Sequence, residues 1–278
     1  MGTGDGQADV TPQKATICVV NYKTLEFTRL CLRSIRKFTD YPYQVIVVDN
    51  GSQDESLEYL RSLDWIQLIE REPPEAGESG SHAHAAAIDM ALEQCNTEFF
   101  VSLHSDTFVY RHGWLGDLVK HFAEDENTAC VGSGKLELTP AWRQWLKKVT
   151  DFKAFKRKLL ATPDPDGHQR YHNRTICCVY RTAILKHEGL SFVMGRDKEL
   201  TVGKKLYFEL VDRGYRTVEL PPKQMSQYVV HLAHATQVIN PNEFTPGNKT
   251  IRKTNRITRK VMNMPTLKEL KSDNRLDD

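Results

Sequence analysis

Polar side chains stand at three points of the sequence where a short apolar segment stops. Asn21-Tyr22 end the first segment, Asp49-Asn50-Gly51-Ser52 follow the second, and His104-Ser105-Asp106 follow a later one. A tyrosine ring can stack on a nucleobase, and a carboxylate can accept hydrogen bonds from a base or a ribose. An aspartate also offers the hard oxygen ligands that suit Mg²⁺ or Mn²⁺ bridging a diphosphate. These residue types together indicate a site for a nucleotide and a divalent metal ion.

Each of these residues also has a purely structural interpretation. An aspartate before Asn50-Gly51 is a frequent turn former, and Asp106 followed by Thr107 is compatible with a helix or turn cap. Tyr22 taken alone is compatible with ordinary packing. Ligands of an open α/β sheet bind beyond the carboxyl ends of its strands, so the expected convergence of the three segment ends favours a binding site.

The elements that must position these residues alternate between strands and helices. The predicted strands are Thr16–Tyr22, Gln44–Val48, Ile66–Ile69, Phe99–Leu103 and Ala129–Gly132. The predicted helices are Leu25–Phe38, one that begins after a Ser52 or Asp54 cap, His82–Leu92 and Trp114–Phe122. This alternation predicts the α/β class, with a mostly parallel sheet and helices on both of its faces.

Bulk composition excludes several classes of protein. The 278 residues are 40% hydrophobic and 27% charged with a net charge of +2, which is ordinary for a globular protein and argues against a nucleic-acid partner. No apolar segment reaches the roughly 18 residues of a membrane span, and residues 1–13 lack the features of a signal peptide. The cysteines show no CxxC spacing and fit a reducing compartment, so we expect a cytoplasmic protein.

Residues 15–110 resemble the donor-binding half of a family 2 glycosyltransferase with the Rossmann-like GT-A fold. The resemblance is carried by Val19-Val20-Asn21-Tyr22, by Val47-Val48-Asp49-Asn50-Gly51-Ser52, and by Phe99–Leu103 ending in His104-Ser105-Asp106. The last triplet lies where the family has its Asp-x-Asp metal motif. Weaker similarity continues through Thr175–Gly189, Leu206–Tyr215 and Tyr228–His234, which resemble acceptor-side elements and a late strand that ends in histidine.

The resemblance implies a role for each candidate site residue. The implied nucleotide-binding residues are Asn21, Tyr22, Asp49, Asn50, His84, His104 and Ser105, with Tyr22 beside the base, Asp49 on a uracil and His104 on the ribose. The implied metal ligands are Asp106, His231 and His234. Without the resemblance, the two late histidines are compatible with a packed pair at the rim of the core. A surface position is the alternative interpretation of His84.

The chain departs from the family pattern at three places. One is the stretch Ser81–Ala87, where many relatives carry Arg and Asn to contact the nucleotide and where His84 falls near the Arg position. His104 replaces the first aspartate of the metal motif, although a neutral imidazole can still hydrogen-bond a ribose hydroxyl. Val202-Gly203 stands where the family usually presents Glu-Asp, one of which acts as the general base. The nearest acids are Asp197 and Glu199, which we predict as the catalytic pair and whose alternative is a solvated charged loop.

These features predict a glycosyltransferase that uses a nucleoside-diphosphate sugar, with UDP favoured. It would transfer the sugar with inversion to an acceptor hydroxyl, assisted by Mn²⁺ or Mg²⁺, in glycan or polysaccharide biosynthesis. The acceptor is a glycan, a lipid-linked glycan or a protein. A glycosyltransferase-like binding module that has lost its base is the alternative. A nucleotidyltransferase is disfavoured because Tyr22-Lys23-Thr24-Leu25 is not a Gly-rich basic loop.

Four parts of the chain are expected from this interpretation. They are a flexible leader at 1–14, a nucleotide-sugar-binding half at 15–138, an acceptor-side half of the same domain at 139–240, and an irregular tail at 241–278 with a short helix at 267–270. The acceptor-side half begins with a basic, aromatic helical segment, Trp142–Lys158. The tail holds six Lys or Arg and no acid between Lys249 and Lys260. It is either solvated or a basic surface for a charged acceptor or for peripheral contact with the inner face of a membrane.

Overall fold

The computed structural model of the protein describes residues 11–73, 78–134, 136, 172–195, 200–241 and 243–278, with side chains from residue 14 onward. The predicted segment Trp142–Lys158 lies outside these residues. Among the described helices, none combines the length and the apolar character that crossing a bilayer requires.

Nine strands are present in the described residues. They are β1 (Thr11–Asn21), β2 (Tyr43–Asp49), β3 (Gln67–Glu70), β4 (Thr97–His104), β5 (Thr107–Val109), β6 (Thr128–Ser133), β7 (Cys177–Arg181), β8 (Arg216–Leu220) and β9 (Val229–His231). Seven of them form one sheet in the order β3-β2-β1-β4-β7-β6-β8. Strands β1 to β4 are parallel to one another, β7 is antiparallel to β4 and β6, and β8 is parallel to β6. The mostly parallel α/β sheet is therefore confirmed.

The described helices cover both faces of this sheet. They are α1 (Leu25–Phe38), α2 (Glu55–Arg61), α3 (Gly80–Gln94), α4 (Trp114–Val119), α5 (Thr182–His187), α6 (Lys204–Asp212), α7 (Pro222–Met225), α8 (Ala235–Ile239), α9 (Asn248–Met262) and α10 (Pro265–Ser272). Short 3-10 helices follow at Lys120–Phe122 and Asn274–Leu276. Asp54 is the N-cap of α2, and its carboxylate accepts a hydrogen bond from the amide of Ser56 at 3.0 Å.

Continuous apolar segments such as β1 are buried on both faces because alternate side chains point to opposite sides of the sheet. Ile17 and Val19 belong to the core that includes α1 and α4, whereas Cys18 and Val20 belong to the core that includes α3 and α6. All six cysteines are free and buried. The second half of the chain supplies β7 and β8 to the same sheet, as predicted.

A second, two-stranded sheet lies beyond the end of β4. Strand β5 begins three residues after β4 ends and pairs antiparallel with β9, so that Thr107 lies opposite His231. This pairing connects residues more than a hundred positions apart. It places the late histidine strand directly beside the end of β4.

The C-terminal segment is helical rather than irregular, which corrects the prediction for residues 241–278. Helix α9 buries Thr254 and Val261, whose seven-residue spacing places them on one face, while its cations stay exposed. The prediction therefore missed this amphipathic helix because charged residues dominate its sequence. At the other end, β1 begins at Thr11, within the segment predicted as a leader.

The last residues of the chain are anchored to α1. The guanidinium of Arg33 donates to both carboxylate oxygens of Asp277, at 2.8 and 2.5 Å, and the hydroxyl of Tyr59 donates to the same carboxylate at 2.8 Å. We call this group the C-terminal clasp (Arg33, Tyr59 and Asp277). It fixes the C-terminal helices against the core.

Candidate active site

The ends of β1 and β2 are joined by a buried set of hydrogen bonds, which we call the strand-end network (Asn21, Thr24, Thr28, Asp49, Ser52 and Ser56). The Asn21 side-chain amide donates to Asp49 at 2.7 Å, to Ser52 at 3.0 Å and to Ser56 at 2.8 Å. Its carbonyl oxygen accepts from the hydroxyls of Thr24 and Thr28. Every polar atom of the Asn21 side chain is therefore paired.

Asp49 is also held within this network. Its Oδ1 accepts hydrogen bonds from Asn21 and from the Ser52 hydroxyl at 2.5 Å, and its Oδ2 accepts one from the Ser52 amide at 2.9 Å. The turn that follows requires Gly51, which has a φ of +77° and whose Cβ position would lie 2.5 Å from the Cα of Pro73. Asn50 is buried and accepts a 2.7 Å hydrogen bond from Arg71.

A cleft of about 400 Å³ opens at this edge of the sheet. Its lining residues are Lys23, Ser52, Gln53, Asp54, Ile239, Asn240, Pro241 and Glu243. The Tyr22 hydroxyl and the Lys23 ammonium both donate to the carboxylate of Glu243. The segment after α8 therefore closes one side of the cleft and contacts the predicted base-stacking tyrosine.

Asp106 and three histidines form a second polar group, which we call the histidine cluster (His84, His104, Asp106 and His231). Asp106 Oδ1 lies 3.2 Å from His231 Nε2 and 4.0 Å from His104 Nδ1. Ligand atoms of these three residues all lie within 4.8 Å of one another. The ring of His84 stands edge-on to the ring of His104, with 4.9 Å between centroids. The Asp106 and His231 side chains are only 8% and 9% exposed.

Local backbone pairing holds the cluster in place. His231 is positioned by the β5–β9 ladder, and the amide of Leu232 donates to the carbonyl of Asp106 at 3.0 Å. The other ring nitrogen of His104, Nε2, lies 3.2 Å from the hydroxyl of Thr175, so Nδ1 faces Asp106. A hydrogen-bonded far nitrogen of this kind commonly orients a metal-ligating histidine.

Burial sets the charge state of these groups. Burial, with nearby His84, lowers the pKa of His104 to about 3, and burial lowers the pKa of His84 to about 4. Burial alone would raise the pKa of Asp106, but His231, His104 and the Ala235 amide hold it well below its usual range. At neutral pH the cluster therefore presents a carboxylate together with neutral imidazoles at His84 and His104, which is the ionisation state that binds a metal cation.

The donor set fits a divalent metal ion. A carboxylate oxygen and imidazole nitrogens are both ligands of first-row divalent metals. His84 Nε2 is buried and has no hydrogen-bond partner among the described residues. A buried nitrogen without a partner is an exception among folded proteins, and an ion or water that is not counted is one explanation for it.

Most of the predicted site residues lie along this edge of the sheet. Asn21, Asp49 and Asn50 end β1 and β2, while His104, buried Ser105 and Asp106 follow β4. The structure differs from the prediction in which histidines it brings to Asp106. His104 and His231 join Asp106, whereas His234 is exposed at the start of α8 and its Nδ1 lies 3.2 Å from Gln237 Oε1. Asp197 and Glu199 lie outside the described residues.

Sequence reasoning missed three contacts of the site. Thr175 supports His104, Glu243 covers Tyr22, and Gly203 packs close to Thr175. A Cβ at Gly203, which has a φ of +72°, would lie 2.8 Å from the Thr175 methyl group. The sequence carried one signal for the Gly203 contact, since Val202-Gly203 replaces the Glu-Asp of the family. A glycine suits this left-handed backbone, whereas an acidic side chain does not.

Known proteins resemble this chain in sequence and in fold. The family model described as Glycosyl transferase family 2 matches residues 16–187. A teichoic acid poly(glycerol phosphate) polymerase of Staphylococcus epidermidis is 32% identical over 101 residues, which cover 34% of this chain and 13% of that protein. The chain thus spans about 13% of the length of this curated relative.

Two solved structures share the fold. Mannosyltransferase PcManGT from Pyrobaculum calidifontis, in complex with GDP-Man and Mn²⁺, has a TM-score of 0.54 and 16% identity, covering 98% of this chain and 84% of that one. TarS residues 1–349 of S. aureus have a TM-score of 0.50 and 16% identity, covering 89% of this chain and 72% of that one. These likenesses confirm the predicted GT-A fold.

Proposed function

Because the chain belongs to glycosyltransferase family 2, we propose that it transfers a sugar from a nucleoside-diphosphate sugar to an acceptor hydroxyl, with inversion. The family match at residues 16–187 includes the ends of β1, β2 and β4, where the candidate donor-binding residues lie. The observation that carries the proposal is the histidine cluster, which stands at the same sheet edge as the cleft beside Tyr22. This arrangement suits a donor whose base lies in the cleft and whose diphosphate reaches a metal ion at the cluster.

The donor base occupies the cleft in this proposal. Tyr22 would stack on the base once its hydroxyl releases Glu243, and Ser52 would face it from the β2 turn. Asp49 Oδ2 accepts one described hydrogen bond, from the Ser52 amide, so its second lone pair is the acceptor available to a uracil N–H. UDP is therefore the favoured nucleotide.

The diphosphate lies at the histidine cluster. His104, Asp106 and His231 would hold the metal ion, and His104 could instead turn to a ribose hydroxyl. Bound there, Mn²⁺ or Mg²⁺ supplies positive charge to the leaving diphosphate. Burial of Asp106 keeps its carboxylate in a low-dielectric site, where its attraction to a cation is stronger than in water.

A donor panel tests the transferase proposal. Full-length protein is incubated with UDP- and GDP-sugars, Mn²⁺ and a hydroxyl-bearing acceptor mixture, and nucleoside diphosphate release is measured. We expect release with at least one donor and its loss on adding EDTA. Binding of UDP without turnover of any donor would refute the transferase and leave the nucleotide site standing.

The general base is proposed to be Glu199, with Asp197 as the second candidate. Both lie between Gly195 and Leu200 in the sequence, and Gly203, three residues after Leu200, packs against the Thr175 that supports His104. The chain shortly after these two acids therefore passes near the histidine cluster. A carboxylate there would accept the proton of the acceptor hydroxyl as it attacks the anomeric carbon.

The alternative is a binding module that has lost its base, and Gly203 is the observation that favours it. Separate Asp197→Ala and Glu199→Ala variants discriminate the two functions. Loss of turnover by at least about 100-fold in one variant, with unchanged UDP affinity, identifies the base. If neither variant changes turnover, both residues are excluded from the chemistry.

The acceptor is proposed to belong to a cell-surface polysaccharide. The S. epidermidis relative is named as a teichoic acid polymerase, and its alignment with this chain covers 34% of the chain. We assign the protein to the cytoplasmic side, where nucleotide sugars are made. Lipid-linked glycan, free glycan and protein acceptors would be separated by product analysis in the donor-panel assay.

Helix α9 supports peripheral contact with an anionic membrane surface at that side. It contains no acidic residue, and its exposed cations are Lys249, Arg252, Lys253, Arg256, Arg259 and Lys260. At 1.5 Å per residue, the helix presents these charges along about 17 Å. Its apolar residues Val261 and Ile257 already pack in the core, so the contact is electrostatic rather than insertional.

Vesicle sedimentation tests this contact. Binding is expected with phosphatidylserine in phosphatidylcholine vesicles, absent with phosphatidylcholine alone, and weakened by salt. Arg256→Glu should weaken it roughly tenfold or more, since each cation near the surface contributes about 1 kcal/mol. Arg111→Glu, at an exposed arginine outside α9, is the matched control. Equal loss in both variants would refute a role for α9.

A further inference from the structure

The turn that follows β9 has an unusual backbone. Ala233 and His234 both lie in the left-handed region, with φ values of +52° and +62°. Histidine visits this region more often than most residues, whereas alanine has no polar side chain that could stabilise it locally. Left-handed residues other than glycine persist where the surrounding structure holds them, and such strain concentrates at functional sites. The turn therefore needs an interaction from outside its own sequence.

Thr254 supplies such an interaction from α9. Its hydroxyl donates to the carbonyl of Ala233 at 3.1 Å, across 21 residues of sequence. Thr254 is buried, and α9 packs against α8, the helix that directly follows the turn. A buried hydroxyl needs a partner wherever it lies, which is the purely structural explanation of this bond. The choice of partner, the carbonyl of the strained alanine, indicates a more specific role.

The segment that contains the turn contacts Asp106 on both sides of the strained residues. Before the turn, the amide of Leu232 donates to the Asp106 carbonyl at 3.0 Å, and His231 Nε2 lies 3.2 Å from Asp106 Oδ1. After the turn, the amide of Ala235 interacts with the Asp106 carboxylate. Because a planar peptide takes its direction from the φ and ψ of the residues before it, the left-handed turn sets where these groups point.

We propose that Thr254 is a positioning residue that acts on the metal site through the left-handed turn. By holding the turn, it keeps His231 and the Ala235 amide directed at Asp106. The proposal rests on the proposed function in treating Asp106 and His231 as metal ligands. Groups that orient a metal ligand from outside commonly contribute about ten- to a hundredfold to metal affinity, and an effect relayed through a turn belongs near the lower end of that range.

Manganese binding tests the proposal without any turnover. The full chain, stripped with EDTA and dialysed, is titrated with Mn²⁺, and the free ion is measured by electron paramagnetic resonance. Thr254→Val keeps the shape of the side chain and removes its hydroxyl, so Mn²⁺ affinity should fall by about tenfold. Thr254→Ser keeps the hydroxyl and should retain the wild-type affinity. The same loss in Thr254→Ser would overturn the role of the hydroxyl.

Val261→Ala is the matched control on α9. Val261 is buried on the same face of the helix, seven residues after Thr254. Its truncation should lower the melting temperature at least as much as Thr254→Val does, yet leave Mn²⁺ affinity unchanged, because the hydrogen bond to Ala233 remains. Equal loss of affinity in both variants would overturn the proposal, since any loosening of α9 would then weaken the site.

Ala233→Gly tests the part played by the strained turn. Glycine adopts the left-handed conformation without a steric cost, so the turn should depend less on its hydrogen bond to α9. In the Ala233→Gly background, Thr254→Val should therefore lower Mn²⁺ affinity by only about threefold or less. An undiminished loss in that background would overturn the assignment of the effect to the turn.

The outcomes distinguish this proposal from the proposed function. Unchanged Mn²⁺ affinity in Thr254→Val would refute the role of Thr254 and leave sugar transfer unaffected. The expected loss of affinity, in a protein that transfers sugar from no donor, would refute the transferase and leave the role of Thr254 in place. A wild-type chain that binds no Mn²⁺ would overturn both the metal site and the role of Thr254.

Discussion

Two polar groups at one edge of the sheet differ in how fully their bonding capacity is used. In the strand-end network, Asn21 makes hydrogen bonds through both its amide and its carbonyl, all with neighbouring side chains. In the histidine cluster, His84 Nε2 has no hydrogen-bond partner in the part of the chain that the structure describes. Asp106 Oδ1 lies 3.2 Å from His231 Nε2 and 4.0 Å from His104 Nδ1. The Asn21 side chain and the His84 Nε2 atom are both buried, so the difference between them is not one of solvent exposure.

This difference distinguishes residues that stabilise the fold from residues that can bind a ligand. A buried side chain whose polar atoms are all paired, such as Asn21, rigidifies its surroundings and leaves no valence for a ligand. A buried group with open valences loses stability and gains affinity for whatever fills them. We therefore expect substitution of Asn21 to act on folding, and substitutions in the histidine cluster to act on ligand binding and turnover.

The largest effect is expected from Asp106→Asn. The change keeps size and removes the charge that holds a cation, so sugar transfer should fall by at least about 100-fold, because a bound metal contributes several kcal/mol to catalysis. The free energy of unfolding should fall by only about 1–2 kcal/mol, because the carboxamide keeps the size of the carboxylate and weakens only its pairing with His231 and His104. Rates come from nucleoside diphosphate release and stability from urea titration, with exposed Asp64→Asn as control. A stability loss without a rate loss would reverse the comparison.

Asn21→Ala should show the opposite profile. Removing the side chain takes a hydrogen-bond partner away from the Thr28 hydroxyl, the Ser56 hydroxyl and Asp49. Each buried polar group left unsatisfied costs about 1–3 kcal/mol of stability. We expect a loss of roughly 3 kcal/mol in the free energy of unfolding, measured by urea titration, with metal affinity unchanged. Asn255→Ala, on the exposed face of α9, is the control. A loss below about 1 kcal/mol would show that water replaces the network.

The C-terminal clasp extends the comparison to a third, fully paired group. Asp277→Asn should lower the free energy of unfolding by roughly 2 kcal/mol near neutral pH, the usual range for hydrogen bonds to charged groups. Burial raises the pKa of Asp277, but hydrogen bonds from Arg33 and Tyr59 outweigh burial, and its pKa lies below the ordinary value.

The sign of its pH dependence follows from this lowered pKa. The stabilisation is fully present above the unfolded-state pKa of about 3.9 and is lost as pH falls through the lower folded-state pKa. Thermal melts of wild type and Asp277→Asn should therefore differ at pH 7 and converge at acid pH. Asp278→Asn, whose side chain is outside the clasp, should match wild type throughout. A gap that persists at acid pH would point to packing instead of charge.

The smallest effect is expected from Glu243→Gln. In the proposed donor complex its carboxylate would compete with the nucleotide for Tyr22, and a half-exposed ion pair with Lys23 contributes only about 0.2–1 kcal/mol. UDP should therefore bind up to about fivefold more tightly to the variant in calorimetry. Glu269→Gln, which removes an ion pair with Lys37 on another surface, is the control. Weaker UDP binding would show that Glu243 contacts the nucleotide itself.

Sequence reasoning was most successful where the controlling interactions are local. The bounds of α1 at Leu25–Phe38 and the Asp54 cap of α2 follow from helical spacing and capping chemistry within a few residues. Helix α9 was missed because exposed cations outnumber its few buried positions, such as Val261, whereas the short helix predicted at 267–270 lies within α10. Helix α10 packs against α1, which is far away along the chain, so no local pattern reveals that contact.

The sequence by itself determined that polar residues end three buried strands, because the alternation of strands and helices makes the sheet parallel and brings those ends to one edge. It did not determine which histidines meet Asp106. That choice depends on the pairing of β5 with β9 and on the approach of α3 to β4, which bring His231 and His84 to His104 and leave His234 exposed. Contacts between residues so distant along the chain are decided by the packing of whole elements, so only the tertiary structure could distinguish the ligand set from its neighbours.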